Sequence, residues 1–196
     1  IYLTLQNLDR QNNWTPEESG KVVVLSRVDL QVVHQIALPC SDPFTRLVPR
    51  GVGILLVGCA GTWSGDINDA GIVEFDVANQ LATLIHDADA LQGRPTFVGE
   101  GVGEESLVVT AQVSSSSSWD IESMKVLVLN DSEVREIYAE PGFSLGGVQA
   151  LEADQVLIAL RSLDDRGGIF LMVTITLGIQ ARWTTGLLAS GVMVAR

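Results

Sequence analysis

The residues best suited to chemistry lie in one short acidic loop, residues 65–71, which reads GDINDAG. Asp66, Asn68 and Asp69 place side-chain oxygens close together ahead of a glycine. Hard cations such as Ca²⁺ bind about six to eight oxygen ligands, and closely spaced Asp and Asn side chains supply several of them. The loop is therefore a candidate Ca²⁺ site. Turn formation is the alternative, because Asp and Asn also bond to their own backbone.

Three of the four tryptophans, Trp14, Trp63 and Trp119, lie in predicted loops beside carboxylates and amides. A loop tryptophan stacks on a sugar, anchors a protein partner, or folds down to pin its own loop to a sheet. The sequence leaves these three alternatives open. The acidic residues that we expect on the same face, as candidate contacts for a partner, are Asp9, Asp120, Asp164 and Asp165, with Asp42 and Asp89 in shorter connections.

The patterns that common enzyme classes need are missing from the sequence. His34 and His86 lie in predicted outer strands, and neither has a second metal ligand at the usual spacing. There is no glycine-rich phosphate loop between a strand and a helix, and no G-x-S-x-G motif. We therefore expect no catalytic residues, and we expect both histidines to be partly exposed strand residues.

The composition narrows the class of partner. The formal net charge is −12, and Lys21 and Lys125 are the only lysines. Such a surface repels phosphate backbones and anionic lipids, so we expect neither nucleic acid nor a membrane surface as a partner. No apolar run approaches the roughly 18 residues of a membrane-spanning helix. A protein partner or self-association fits better, with a glycan as the alternative ligand.

The loops are separated by a strand pattern that occurs four times. Apolar segments at residues 1–6, 54–59, 106–111 and 156–161 begin at intervals of about 50 residues. Each is followed by a polar loop and three further strands, the last introduced by Gly or Pro. Four strands in such a period predict an all-β fold, a β-propeller with four visible blades of four antiparallel strands. The predicted domain covers residues 1–196, with units at 1–53, 54–105, 106–155 and 156–196.

The strand position at which the repeat begins and ends bears on whether the blades close into a ring. The chain begins on the second strand of a blade, and residues 191–196 match a first strand. This offset allows the last strand to complete the first sheet, which removes a free sheet edge. We expect these blades to be part of a ring of about six to eight, with a closed four-bladed ring as the alternative.

Two segments carry a family resemblance. Residues 20–38 (GKVVVLSRVDLQVVHQIAL), followed by Pro43, resemble the YVTN-type repeat of bacterial cell-surface β-propellers, and residues 70–84 (AGIVEFDVANQLATL) repeat the pattern. The fourth unit departs from it, because residues 174–178 lack the Asp turn. The resemblance implies an exported protein at the cell surface, in the periplasm or secreted, often a lipoprotein. It implies no particular activity, since propellers host many functions.

These observations predict an exported, non-catalytic propeller that acts as an interaction or assembly module through its acidic, tryptophan-bearing loop face. The alternative is a calcium-dependent propeller that binds a ligand or glycan, or a hydrolytic, lactonase-like one that activates water on a bound cation. Both hypotheses use the same face of the molecule.

The two cysteines are placed symmetrically about a predicted turn near Pro49 and Gly51. Cys40 precedes one strand and Cys59 ends the next, so a regular hairpin brings them within disulfide reach. Two reduced, buried cysteines are the alternative. The disulfide, if formed, indicates an oxidising compartment.

Overall fold

The described part of the chain is all-β, with antiparallel sheets and almost no helix. The helix α1 (Ala88–Leu91) has four residues, and no helix in the described part of the chain is long and apolar enough to cross a membrane. Valine, leucine and isoleucine fill the strands, since branched side chains suit a pleated, packed surface. The computed structural model describes residues 1–9, 11–12, 15–63, 67–101, 105–113, 120–152, 154–160, 169–174 and 178–184.

Four sheets follow one another along the chain, and each is a simple antiparallel meander. A small hairpin of β2 (Leu8–Asp9) and β3 (Thr15–Pro16) lies in the loop between β1 and β4. Sheet 1 contains β1 (Tyr2–Leu5), β4 (Lys21–Leu25) and β5 (Val32–Ala37); sheet 2 contains β6 (Val48–Pro49), β7 (Ile54–Cys59), β8 (Gly71–Asp76) and β9 (Leu81–Asp87); sheet 3 contains β10 (Arg94–Glu100), β11 (Ser106–Val113), β12 (Ile121–Leu129) and β13 (Val134–Pro141); sheet 4 contains β14 (Leu145–Glu152), β15 (Gln155–Leu160), β16 (Ile169–Thr174) and β17 (Gly178–Thr184).

The all-β class and the order of the strands agree with the sequence analysis. Ring closure is not shown by the described residues, and residues 191–196, predicted as the closing strand, lie outside them. The predicted strand at residues 43–49 shrinks to the two residues of β6. The reason is local bonding, because the Gly58 carbonyl accepts from both the Phe44 and Thr45 N–H groups, and the Thr45 hydroxyl accepts from the Gly58 N–H.

Consecutive sheets stack on each other. Strand β5 packs against β9, β10 packs against β7, and β14 packs against β11. Successive residues of one strand face opposite sides of a sheet. In β7, Leu56 points into the core between sheets 2 and 3, whereas Val57 points into the core between sheets 1 and 2.

Sheet 3 shows the same division. Val108 packs toward sheet 2, whereas Leu107 and Val109 pack toward sheet 4. Sheets 2 and 3 are therefore buried on both faces. This explains why inner strands such as β7 and β11 read as nearly continuous apolar runs, whereas the outer strands β9 and β13 keep exposed residues.

Sheet 1 lies at one end of this stack. Tyr2 packs into the core shared with sheet 2, but Leu3 and Leu5 on the opposite face stay 46% and 43% exposed. The free edge of β1 has no strand partner among the described residues. In the other three sheets the equivalent edge of β7, β11 and β15 is paired with β6, β10 and β14.

The predicted disulfide between Cys40 and Cys59 is confirmed. Its Cα atoms are 6.0 Å apart, and both side chains are buried in the core between sheets 1 and 2. It ties the connection between β5 and β6 to the end of β7. The bond is compatible with an oxidising, extracytoplasmic environment.

Reduction of this disulfide is expected to lower the free energy of unfolding by about 3 kcal/mol, because the 19-residue separation restricts the unfolded chain. Urea unfolding of the oxidised and reduced protein measures the difference. A Cys40→Ala/Cys59→Ala variant, insensitive to reductant, is the control. Equal stability of the oxidised and reduced forms would contradict the prediction.

Candidate functional site

Several connections meet at one edge of the stack, which we call the loop face. It is formed by the β5–β6, β7–β8 and β9–β10 connections and the end of β11. The first two are joined through their backbones: the Ser41 N–H donates to the Asp69 carbonyl (3.0 Å), and the Gly61 N–H donates to the Ser41 carbonyl (3.1 Å). The Ala60 N–H donates to the Asp42 carbonyl (2.8 Å). These bonds fix the two connections relative to each other.

Asp42 is the most unusual residue of the loop face. It is 1% exposed, although the sequence analysis placed it among the surface acids, and its φ of 49° lies in the left-handed region. Its Oδ2 accepts a hydrogen bond from Trp63 Nε1 at 3.0 Å, while Oδ1 has no hydrogen bond of standard geometry among the described residues. Burial raises the pKa of the Asp42 carboxyl, and bonds from Trp63 and Gln6 oppose this shift.

Trp63 is held in place by its neighbours. The Trp63 indole packs edge-on to the Phe44 ring, with the two ring centroids 5.8 Å apart. The guanidinium carbon of Arg94 lies 5.7 Å from the centroid of the Trp63 ring. Together with the bond to Asp42, these contacts pin the ring to its loop. The predicted contact of Trp63 with a partner stays a prediction, but the residue already has a structural role.

Arg94 was missed by the sequence analysis. This first residue of β10 is 2% exposed, and its Nη1 donates to the Ala60 carbonyl at 2.9 Å. Its positive charge lowers the pKa of Asp42, and its guanidinium lies against the Trp63 ring in a cation–π contact. The signal in the sequence that could have identified this residue is an arginine between Gly93 and Pro95, at the start of a predicted strand.

The proposed calcium loop is closed partly by its own hydrogen bonds. Asp69 Oδ1 accepts from the Thr62 N–H and Oδ2 accepts from the Thr62 hydroxyl, both at 3.1 Å. A Cβ at Gly61, whose φ is +68°, would lie 2.5 Å from Asp69 Oδ1, so glycine is needed there. Asn68 is exposed, and Asp66 lies outside the described residues.

A metal site is not visible in the described ranges. Within them, no three His, Cys, Asp or Glu side chains are close enough together to hold a metal ion. The calcium site at Asp66, Asn68 and Asp69 therefore stays a prediction.

Of the remaining predicted contact residues, the structure describes Asp9 and Asp120. Asp9 is half-buried in β2, where its Oδ1 accepts from the Gln11 N–H at 2.8 Å, and Asp120 is exposed just before β12. Neither Asp9 nor Asp120 is among the side chains that bond to Asp42 or shift its pKa. Four further predicted residues lie outside the described part of the chain: Trp14, Trp119, Asp164 and Asp165.

The two histidines differ from each other. His34 is exposed in β5, but the expectation that His86 is partly exposed was wrong. His86 is buried because the turn between β12 and β13 lies against it, with His86 Nε2 2.7 Å from the Asn130 carbonyl oxygen. No cluster of metal ligands surrounds either ring within the described residues.

Next to Arg94, a cleft of about 390 Å³ opens between sheets 2 and 3. Ile67 of the β7–β8 loop forms one side, and residues 88–89 and 92–94 form the second. Residues 111–113 at the end of β11 form the third. The cleft combines apolar side chains with the polar groups of Asp89, Gln92 and Gln112.

Comparisons with known proteins add little to this picture. No protein-family model matches the chain, and no curated protein matches it. Among solved structures it is similar to Kuenenia stuttgartiensis hydrazine synthase, with a TM-score of 0.40 and 13% identity. The match covers 87% of this chain and 61% of that chain, so this chain spans less than two thirds of its length. A likeness at this TM-score carries no argument about function.

The buried carboxyl of Asp42 predicts a specific pH dependence. Because its folded pKa is raised above 3.8, Asp42 favours the folded state most when it is protonated. The stabilising contribution of Asp42 to the free energy of unfolding is complete below pH 3.8 and is lost as the pH rises through the folded pKa. Asp42→Asn should therefore abolish this part of the dependence. Urea unfolding of both proteins between neutral pH and 3.8 tests it, with Asp120→Asn as the exposed control. A constant difference between Asp42→Asn and wild type across that range would contradict the prediction.

Proposed function

We propose that the chain forms blades of a β-propeller and works as an exported, non-catalytic interaction or assembly module. The partner contacts the loop face, and the partner is a protein or a second copy of the chain. The observation that carries this proposal is the convergence of connections from neighbouring sheets into one rigid edge beside a cleft. Binding surfaces typically consist of loops that a rigid scaffold positions.

The propeller part of the proposal is supported by the stack of sheets. A two-layer sandwich buries one face of each sheet, whereas sheets 2 and 3 bury both. Each sheet is a meander, and each core lies between sheets that are consecutive along the chain. Radial repetition of such sheets is the propeller arrangement.

The chemistry of the loop face supports binding rather than catalysis. Asp42 and Arg94 are buried and bonded to neighbouring residues. The formal net charge of −12 favours a partner with positive charge at the protein surface. The location outside the cytoplasm is also part of the proposal, and the disulfide supports it.

The loop tryptophans test the binding face. The sequence predicts that Trp14 and Trp119 extend this face, so Trp14→Ala and Trp119→Ala should each weaken association by about 30-fold, since a tryptophan anchor typically contributes about 2 kcal/mol to binding. The matched control is Trp183→Ala, which removes a tryptophan that is 49% exposed on β17. Sedimentation velocity over a concentration series measures self-association, and circular dichroism checks the fold. Variants that associate as strongly as the wild type would refute the proposed face.

The exposed end of the stack tests the propeller. If a further sheet covers sheet 1, Leu3→Ser/Leu5→Ser should remove about 3 kcal/mol of burial free energy. If the covering sheet belongs to the same chain, the variant should have a lower free energy of unfolding. If it belongs to a second copy, the variant should have a lower native mass. The control is Leu81→Ser, at a leucine 60% exposed on β9. Unchanged stability and unchanged mass would contradict a continuing ring.

A further inference from the structure

We propose that the cleft between sheets 2 and 3 binds an uncharged saccharide. This inference does not depend on the protein partner proposed above, and of the residues that line the cleft only Asp89 was among the acids expected on the partner-binding face. It follows from the size of the cleft, the orientation of its amide groups and its balance of charge.

The cleft has the size and rigidity of a small-molecule site. Its volume of about 390 Å³ falls in the range of about 300–1,000 Å³ that is usual for such sites. Its floor is formed where two backbones touch, because a Cβ at Gly93 would lie 2.9 Å from the Ala111 carbonyl oxygen. One wall is α1, whose first turn is capped by Asp87, with Oδ1 accepting from the Ala90 N–H at 2.9 Å. The floor and the α1 wall are therefore held by contacts of the protein itself.

The glutamines of the cleft present donors. Lys125 Nζ lies 2.6 Å from Gln92 Oε1, and because an ammonium group only donates, this contact fixes which end of the amide is oxygen. The NH₂ group of Gln92 is then the end left for a ligand. Gln112 has a similar arrangement, since its Oε1 accepts from the Ser123 hydroxyl at 3.3 Å.

The only carboxylate that lines the described cleft is the exposed Asp89, which accepts hydrogen bonds. A cationic ligand would meet the positive ends of two amides together with Arg94. An anionic ligand would meet Asp89 in a protein of net charge −12. Both kinds of charged ligand are therefore disfavoured.

A hydroxyl group matches this mixture because it both donates and accepts. It donates to Asp89 and accepts from the NH₂ groups of Gln92 and Gln112. The remaining lining includes Ile67, Ala88 and Val113, which give apolar contact for the C–H surface of a sugar ring. A ligand with several hydroxyls on a compact carbon frame uses all of these groups, which is the chemistry of a saccharide.

The first experiment is an ¹H–¹⁵N NMR titration with four neutral disaccharides: maltose, cellobiose, lactose and N,N′-diacetylchitobiose. Nα-acetyl-lysine methylamide and inorganic phosphate serve as the cationic and anionic comparators. We expect at least one disaccharide to shift the Gly93 amide and the side-chain NH₂ signals of Gln92 and Gln112, and neither comparator to do so. No shift with any disaccharide, or shifts with a charged comparator alone, would overturn the proposal.

Variants then locate the site. Asp89→Asn and Gln112→Ala should each weaken binding of the active disaccharide about tenfold, which corresponds to about 1.4 kcal/mol. Glu133→Gln removes one exposed carboxyl on the turn before β13 and is the matched control, expected to bind as the wild type does. Asp87 still caps α1 in Asp89→Asn, and the dispersion of the NMR spectrum checks the fold of each variant. Equal affinity of the cleft variants and the control would place the sugar elsewhere and overturn the assignment.

Discussion

Burial of both faces of sheets 2 and 3 is the constraint on which the rest of the structure depends. Adjacent residues such as Leu56 and Val57 enter different cores, so the inner strands of these sheets are shielded from water on both faces. A sheet of this kind needs a neighbour on each side, and the short meander connections supply it from the next unit of the chain. The stack then places the connections between strands at its two edges, where residues can change without disturbing the cores.

The loop face shows how such an edge becomes a defined surface. A buried carboxylate and a buried guanidinium are each costly alone, but Asp42 and Arg94 lie close enough to interact, and both contact Trp63. The Cys40–Cys59 disulfide holds the same connection to the end of β7. A surface fixed in this way loses little conformational entropy when a ligand binds, which favours affinity.

At sheet 1 the described residues do not satisfy the same constraint. Leu3 and Leu5 continue the apolar pattern of the stack but remain partly exposed, and β1 has an edge without a strand partner in the described ranges. An apolar face next to an unpaired edge favours association with another sheet. This links the architecture of the chain to its proposed role in assembly.

The sequence by itself determined the features that depend on local order. Apolar runs, glycine and proline turns and the period of about 50 residues predicted an all-β chain and most strand positions, including Ile54–Cys59. The symmetric placement of Cys40 and Cys59 on either side of one predicted turn predicted their disulfide. Only the tertiary structure decided that Asp42 and His86 are buried, because these environments come from side chains and sheets distant along the chain. Arg94 and the cleft were hidden for the same physical reason: their partners meet only when separate sheets stack.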